Sequence, residues 1–341
     1  MIIDAHTHGL HGQHLGPLET GGGDYARKSL SRLRSLTQNK PHFFDVSLRV
    51  ETLDRNGIDL QVVSAGWHLD SNSLPGDASG QLALARAIND NMARLMEDSR
   101  GRLLGVGNVP LVDYEGAGSK EMERAIRTLG LKAVSIPTHL RGKPIDLPEY
   151  EPFWAQAAEL DIPVYIHPLS PMDPSGRPYE AEYDLTHAFG WPFETMLALS
   201  RLVFSGMMDK YPSLKIVSHH LGGGIPFAWG RIRETYRPER QKKFLGRILP
   251  KPVLDYFSSF YYDTAVGGNA PAVKCAYEVL GPDQIVFGTD TPFGPGTGES
   301  RMADYLKAIR SLAFPEVDNE KILAGNIRRI LKLAPPEAAP R

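Results

Sequence analysis

Short, almost continuously apolar runs recur along the chain, and segments with apolar residues at helical spacing separate them. Such runs are typical of parallel strands that helices cover on both faces. About eight strand–helix units follow one another, which predicts an α/β fold of the (β/α)₈ TIM-barrel type, although the same periodicity fits a doubly wound open sheet. The predicted strands are Ile2–Ala5, Leu60–Ala65, Leu103–Val109, Ala133–Pro137, Pro163–Ile166, Lys215–Ser218, Phe260–Asp263 and Gln284–Phe287.

Two long segments interrupt this repeat, residues 9–47 after the first predicted strand and residues 169–193 after the fifth. In a barrel both would emerge at the carboxyl ends of the strands, where barrel enzymes build their active sites. No linker of biased composition divides the chain, so we expect one barrel domain over residues 1–333 that carries these two insertions. Residues 334–341 are expected to form a C-terminal tail.

The charge balance excludes several classes of protein. The 341 residues include 38 Lys and Arg against 40 Asp and Glu, a formal net charge of −2, whereas a dedicated nucleic-acid binder carries a basic surplus. No apolar run is long enough to span a bilayer, and the single cysteine, Cys275, has no partner for an internal disulfide. We therefore expect a cytoplasmic protein that binds neither nucleic acid nor membranes.

Histidines and a carboxylate stand at the ends of several predicted strands. His6 and His8 are two residues apart, so in extended backbone both imidazoles point to the same side and can share one ion. Further histidines and a carboxylate follow later predicted strands. Each of them alone is typical of a hydrogen-bonded strand end, but together with His6 and His8 they predict a metal site at one face of the barrel. Three neutral imidazoles and a carboxylate suit a borderline divalent ion such as Zn²⁺. The later residues are His167 after the fifth strand, His219 and His220 after the sixth, and Asp290 after the eighth.

The chain resembles the amidohydrolase-2 branch of the amidohydrolase superfamily, which includes 2-amino-3-carboxymuconate-6-semialdehyde decarboxylase and aromatic-acid decarboxylases. The resemblance extends from Met1 to about Leu333. It is carried by the motifs Asp4–His8, Asp54–Ile58, Tyr165–Pro168, Tyr211–Ile216, His220–Arg231 and Gly288–Phe293.

The resemblance implies one divalent ion, expected to be Zn²⁺ with Mn²⁺ as the alternative, and four ligands for it: His6, His8, His167 and Asp290. It also makes His220 the acid/base residue beside the metal-bound water, because the family's histidine stands seven residues before a Phe, here Phe227. His219 is then a structural partner, although a shift of one residue would exchange the two roles.

The resemblance further implies that Arg231 binds a substrate carboxylate across a dimer interface, so we expect a homodimer or a larger homo-oligomer. An ordinary ion pair on a helix is the alternative for Arg231. Three other residues near the predicted mouth of the barrel are candidates for substrate binding: His68, His139 and Trp191. The family's substrate-binding arginine in the first insertion has no clear counterpart, and the candidates there are Arg27, Lys28, Arg32 and Arg34.

The expected reaction is nonoxidative decarboxylation of a hydroxy- or amino-substituted aromatic or unsaturated carboxylic acid. The metal would withdraw charge from a substrate oxygen while His220 or Asp290 delivers a proton to the carbon that loses CO₂. Hydrolysis or hydration by a metal-bound hydroxide is the alternative, because the same ligands serve both chemistries. The family favours decarboxylation, and so does the lack of an obvious carboxylated lysine that could bridge two metal ions. Lys132 lies at the start of the fourth predicted strand, which is the wrong end for a metal site.

Overall fold

The computed structural model describes residues 1–21, 23–73, 77–169 and 183–334. It contains a sheet of eight strands that pair in chain order, each parallel to its neighbour, which confirms the predicted (β/α)₈ barrel. We number these strands β1 Ile3–His8, β2 Leu60–Ser64, β3 Leu103–Asn108, β4 Ala133–Pro137, β5 Pro163–His167, β6 Lys215–Ser218, β7 Tyr261–Asp263 and β8 Ile285–Val286.

The sheet closes on itself where β1 meets the chain that follows β8. The Ala5 amide donates to the Phe287 carbonyl at 2.7 Å, and the His8 amide donates to the Thr291 carbonyl at 2.8 Å. A doubly wound open sheet leaves its first and last strands apart as edges, so these hydrogen bonds exclude that alternative.

Helices surround the barrel, and short helical turns join many of them to the strands. The α-helices are α1 Gly16–Gly21, α2 Gly23–Leu36, α3 Val46–Asn56, α4 Ala78–Asp98, α5 Ser119–Glu123, α6 Glu151–Glu159, α7 Trp191–Ser205, α8 Met207–Lys210, α9 Trp229–Thr235, α10 Pro238–Leu245, α11 Val253–Phe257, α12 Ala270–Leu280, α13 Ser300–Ser311, α14 Glu316–Glu320 and α15 Asn326–Ile330. The 3₁₀ turns are Gly12–His14, Pro41–Phe43, Trp67–Leu69, Ser71–Ser73, Pro148–Tyr150, His220–Gly222 and Pro282–Gln284, and the π turns are Tyr114–Gly118, Arg124–Thr128, Thr186–Gly190 and Lys321–Gly325.

A buried arginine on α3 fixes the carboxyl end of β1. Arg49 is 2% exposed and donates to the His8 carbonyl, to Thr7 Oγ1 and to Gln61 Oε1, each at 2.8 Å. Because a buried guanidinium is tolerated only when its donors are satisfied, these bonds hold α3 against β1 and β2. Burial lowers the pKa of Arg49 to about 10, so it stays charged at neutral pH.

Two strands extend further than the sequence predicts. β1 runs from Ile3 to His8, so the histidine pair lies inside the strand, and β5 likewise includes His167. Strand pairing explains the first case, because His8 pairs with Ser64 of β2 and continues the ladder past the apolar run. The imidazoles are therefore held by the sheet itself.

The two insertions differ in how much of them can be described. Residues 9–47 contain α1 and α2, and α2 carries the basic run, where Arg34 pairs with Glu19 at 2.8 Å. In the second insertion, residues 170–182 lie outside the described part of the chain, which resumes before α7. All of the predicted tail except residue 334 also lies outside it. Among the described residues, no helix has both the length and the apolar character to cross a bilayer.

Candidate active site

The four predicted ligands converge at the carboxyl ends of the strands. His6 Nε2 and His8 Nε2 are 3.1 Å apart, and Asp290 Oδ1 lies 3.2 Å from His8 Nε2 and 3.7 Å from His6 Nε2. One nitrogen each of His6, His8 and His167 lies within 4.8 Å of the other two. Two ligands of one tetrahedral zinc ion are about 3.3 Å apart, so this donor set fits a single divalent ion.

The imidazoles are oriented by partners on their other nitrogen atoms. His6 Nδ1 lies 2.6 Å from Asp263 Oδ2, His8 Nδ1 2.9 Å from Ser64 Oγ, and His167 Nδ1 2.8 Å from the Pro168 carbonyl oxygen. With the ring protons on Nδ1, the Nε2 lone pairs of all three rings are free to bind an ion. Partners of this kind fix the tautomer and the ring orientation at metal sites.

Burial keeps the three rings neutral, as a metal ligand must be. It lowers the pKa of His6 to about 3, and it holds the pKa values of His8 and His167 below their usual range. Burial alone would raise the pKa of the Asp290 carboxyl, but its close contacts with the rings of His8 and His6 hold it well below its usual range. The site therefore offers three neutral imidazoles and one carboxylate at neutral pH.

Asp263 joins the candidate metal site to His219. It is the last residue of β7, it is fully buried, and its Oδ2 lies 2.6 Å from His6 Nδ1 and 3.0 Å from His219 Nδ1. Burial alone would raise the pKa of this carboxyl, but His6 and His219 hold it far below its usual range. Asp263 was not among the predicted site residues, although its place at the end of a predicted strand is the same signal that identified Asp290.

The adjacent histidines point to different places. His219 packs against the ring of His6, with 3.7 Å between the centroids, whereas His220 lines the cavity beside the site. The backbone separates them because His220 and Leu221 both have positive φ, 52° and 55°. Gly222 follows with φ of 71°, and a Cβ there would lie 2.4 Å from the Tyr262 ring, so the turn requires glycine. Of the two adjacent histidines, His220 is thus the one that lines the cavity.

A cavity of about 660 Å³ opens beside the ligands, a size typical of small-molecule sites. Its aromatic walls are Trp67, Trp191, Phe293 and Tyr305. Two cationic side chains also line it, Arg32 of α2 and Arg301 of α13. Sequence analysis named Arg32 only as one of four basic candidates and did not identify Arg301.

The candidates for substrate binding have different placements. Trp191 lines the cavity, and its ring is almost parallel to that of His220, with centroids 6.1 Å apart. His139 is not among the described lining residues. It lies in the hairpin His139–Leu140 and Lys143–Pro144, and its buried ring accepts a hydrogen bond from the Gly142 amide at 3.1 Å.

The other two candidates for substrate binding are Arg231 and His68. Arg231 is exposed on α9 and is absent from the lining of its own chain's cavity. The backbone of His68 lies in the turn Trp67–Leu69 after β2, but its side chain is outside the described part of the structure.

Comparisons with known proteins agree over almost the whole chain. The sequence profile of the family described as Amidohydrolase matches residues 3–333. The 2-amino-3-carboxymuconate-6-semialdehyde decarboxylase of Dictyostelium discoideum is 30% identical over 299 residues, covering 86% of this chain and 78% of that protein. A gamma-resorcylate decarboxylase of Polaromonas sp. strain JS666 is 30% identical over 295 residues, covering 84% and 86%.

A solved structure shares both the fold and part of the sequence. It is a dihydroxybenzoic acid decarboxylase from Polaromonas sp. JS666 with bound manganese and the inhibitor 2-nitroresorcinol. The TM-score is 0.78 at 26% identity, and the match covers 98% of each chain.

Proposed function

The chain belongs to the amidohydrolase family, and from this premise we propose that it is a metal-dependent nonoxidative decarboxylase, a carboxy-lyase. Its substrate class is hydroxy- or amino-substituted aromatic or unsaturated carboxylic acids. The observation that carries the proposal is the convergence of His6, His8, His167 and Asp290 beside a cavity with aromatic walls and cationic side chains. The relatives named as decarboxylases support this chemistry over hydrolysis.

The proposed ligands hold one divalent ion. The donor set alone suits Zn²⁺, but carboxylate and imidazole ligands also accept Mn²⁺. The related dihydroxybenzoic acid decarboxylase holds manganese, which favours Mn²⁺ here as well. When bound, such an ion withdraws charge from a substrate oxygen and stabilises the electron pair that departing CO₂ leaves on carbon.

Side chains of the cavity supply the rest of the reaction. A flat ring fits between the aromatic walls, which exclude water from the reacting carbon. Trp191 Nε1 is buried without a hydrogen-bond partner among the described residues, so it has a proton to donate to a polar substituent. CO₂ leaves when the bond between the substrate carbon and its carboxyl group breaks. An imidazole N–H of His220 then donates its proton to that substrate carbon.

The functional unit in this proposal is a homodimer or a larger homo-oligomer. Arg231 would reach the cavity of a neighbouring protomer and bind the substrate carboxylate, since it does not line its own chain's cavity. Phe227 supports an interface on this side of the barrel, because it is 90% exposed, and a large ring in water is unfavourable. Phe189 and Phe193, 67% and 52% exposed, add apolar surface to the chain.

Two further expectations remain part of the proposal. Residues 1–333 act as one domain, which the single eight-stranded sheet from Ile3 to Val286 supports. The protein works in the cytoplasm, as the single cysteine suggests for a chain without internal disulfides.

A product assay tests the proposed function. Metal-free protein is loaded with Mn²⁺ or Zn²⁺ and incubated with a panel of hydroxy- and amino-substituted benzoates. We expect CO₂ release together with a product that, in D₂O, carries one deuterium at the former carboxyl position. A His220→Ala variant with full metal content serves as the control. Ring opening or water addition without CO₂ release would show that the chain is a hydrolase or hydratase.

A further inference from the structure

A second cluster of metal-binding side chains lies between the start of the first insertion and the end of α4. His11 Nε2 lies 2.6 Å from Asp98 Oδ2, and the rings of His11 and His14 are edge-to-face with centroids 4.5 Å apart. One possible ligand atom of each residue lies within 4.8 Å of the other two. None of the three lines the catalytic cavity.

One buried side chain fixes the backbone of both histidines. Asn91 Oδ1 accepts from the His11 amide at 2.9 Å, and Asn91 Nδ2 donates to the carbonyls of His11 at 3.1 Å and His14 at 3.0 Å. Asn91 is 2% exposed and lies on α4, the helix that ends at Asp98. Residues seven apart share one face of a helix, so α4 positions the histidine backbone and the carboxylate together.

The donor set selects the class of ion. Two imidazoles and one carboxylate bind borderline divalent ions such as Zn²⁺, Co²⁺ and Ni²⁺ and leave at least one position for water. His11 Nδ1 faces the Gln13 amide at 3.3 Å, so Nε2 is the nitrogen directed at Asp98. For an ion to bind at Nε2, the neutral ring moves its one proton from Nε2 to Nδ1, and the hydrogen bond from the Gln13 amide is given up.

The geometry needs one small adjustment to hold an ion. Two ligands of one zinc ion are about 3.3 Å apart, which exceeds the His11–Asp98 distance. The Asp98 side chain is 50% exposed and terminates its helix, so it is free to move outward, whereas His11 is 5% exposed and held in place. A small outward movement of the Asp98 carboxylate, with His11 kept in place, therefore gives the ligand separation that an ion requires.

We propose that His11, His14 and Asp98 form a second, structural site for a borderline divalent ion. Bound there, the ion links the segment that follows β1 to α4. An ion that binds the folded chain and not the unfolded chain stabilises the fold by mass action. This site is independent of the reaction assigned to the barrel, so either proposal can fail without the other.

The number of ions per chain tests the second site. Metal-free protein is dialysed to equilibrium against micromolar Zn²⁺, and the bound zinc is measured. We expect two ions per wild-type chain and one in His14→Ala. Glu97→Ala is the matched control, since Glu97 is exposed and next to Asp98 but outside the cluster, and it should keep two ions. The same number of ions in the wild type and in His14→Ala would overturn the proposal.

A stability measurement gives a readout that needs no activity. In His8→Ala, whose catalytic site is weakened, Zn²⁺ should raise the melting temperature by several degrees through the second site alone. Adding His14→Ala should abolish that shift, and His14 is exposed, so the change itself is tolerated by the fold. An equal shift in both proteins would contradict the assignment.

Discussion

Arg301 holds the outer oxygen of Asp290: its Nη1 donates to Oδ2 at 2.9 Å, while Oδ1 faces the rings of His6 and His8. Arg301 belongs to α13 outside the barrel, and its guanidinium lies 6.0 Å from the centroid of the Tyr305 ring. A helix of the outer layer therefore sets the orientation of the carboxylate that we assign to the metal.

Replacing Arg301 tests this positioning. Arg301→Gln removes the charged hydrogen bond to Asp290, and we expect metal affinity to fall by about 10- to 100-fold, as is usual when a partner of a metal ligand is lost. Arg301→Lys should recover part of the loss, because it keeps the charge without the planar fork. Chelator competition measures the affinity. Arg310→Gln, on the exposed side of the same helix, is the control, and an equal loss there would refute the role.

Asp263→Asn is expected to weaken the same site from the opposite side. The amide still accepts one hydrogen bond, but it lacks the charge that fixes the Nδ1 proton of His6, so metal affinity should fall by about 10- to 100-fold. Zinc and manganese titrations of metal-free protein measure the change. Asp255→Asn, an exposed site on α11, should bind as the wild type does. Unchanged affinity in Asp263→Asn would mean that the buried carboxylate serves only the fold.

His220→Ala should keep its metal and lower kcat by about two to four powers of ten, the usual contribution of a positioned acid or base. His219→Ala is the informative comparison, because His219 contacts Asp263 and lies away from the cavity. We expect it to change metal affinity more than turnover. Metal content and kcat are measured for both variants under the same loading. A rate loss confined to His219→Ala would mean that His219 is the acid/base residue and His220 the structural partner.

Mixed oligomers test whether Arg231 acts in a neighbouring protomer. Arg231→Ala and His220→Ala should each be nearly inactive alone. Co-expressed with separate tags and purified as mixed dimers, they should recover about half of wild-type activity, because each mixed dimer has one intact site of its two. Activity of the purified mixed species is the measurement. A monomer by sedimentation with full activity, or mixed dimers without recovery, would reject the arrangement.

The buried histidines make the stability of the metal-free protein depend on pH. Burial lowers the pKa of His6 to about 3, so between that pH and about 6.5 the unfolded chain binds a proton that the folded chain does not. This ring's contribution to stability is therefore lost as the pH falls, by about 1.4 kcal/mol from pH 7.5 to 5.5.

Urea unfolding of wild type and His6→Ala at both pH values isolates this effect. The wild type should lose more stability on acidification than the variant does. The Asp4 carboxyl, whose pKa burial raises to about 7, acts in the opposite sense but is present in both proteins. Equal losses in the two proteins would contradict a neutral, buried His6.

The barrel was predictable, and so was the convergence of the four residues proposed as ligands, because their signals are local. An apolar run followed by a histidine or a carboxylate predicts a strand and also places the polar residue at the carboxyl end of that strand, as for His167 and Asp290. The resemblance favoured His220 over His219 as the acid/base residue, and that choice stays a prediction, although His220 is the one that lines the cavity.

Residues brought in by irregular segments were not predictable. Arg301 approaches Asp290 because Gly294, with φ of 125°, leaves room for it: a Cβ there would lie 2.3 Å from Arg301 Nε. His139 was expected at the mouth of the barrel, and it lies in a hairpin whose two strands have only two residues each, elements too short to have a periodicity. Neither conformation has a signature in the sequence of its own segment.

The seam between β1 and the chain after β8 dictates when an ion can be captured during synthesis. Of the ligands we propose, His6 and His8 lie in the first strand and Asp290 follows the last. The ribosome releases the histidine pair long before the carboxylate, and a chain that ends before β8 has only three of the donors, on a sheet that is not yet closed. We expect metallation to follow translation, so the metals available in the compartment where folding finishes decide which ion the enzyme receives.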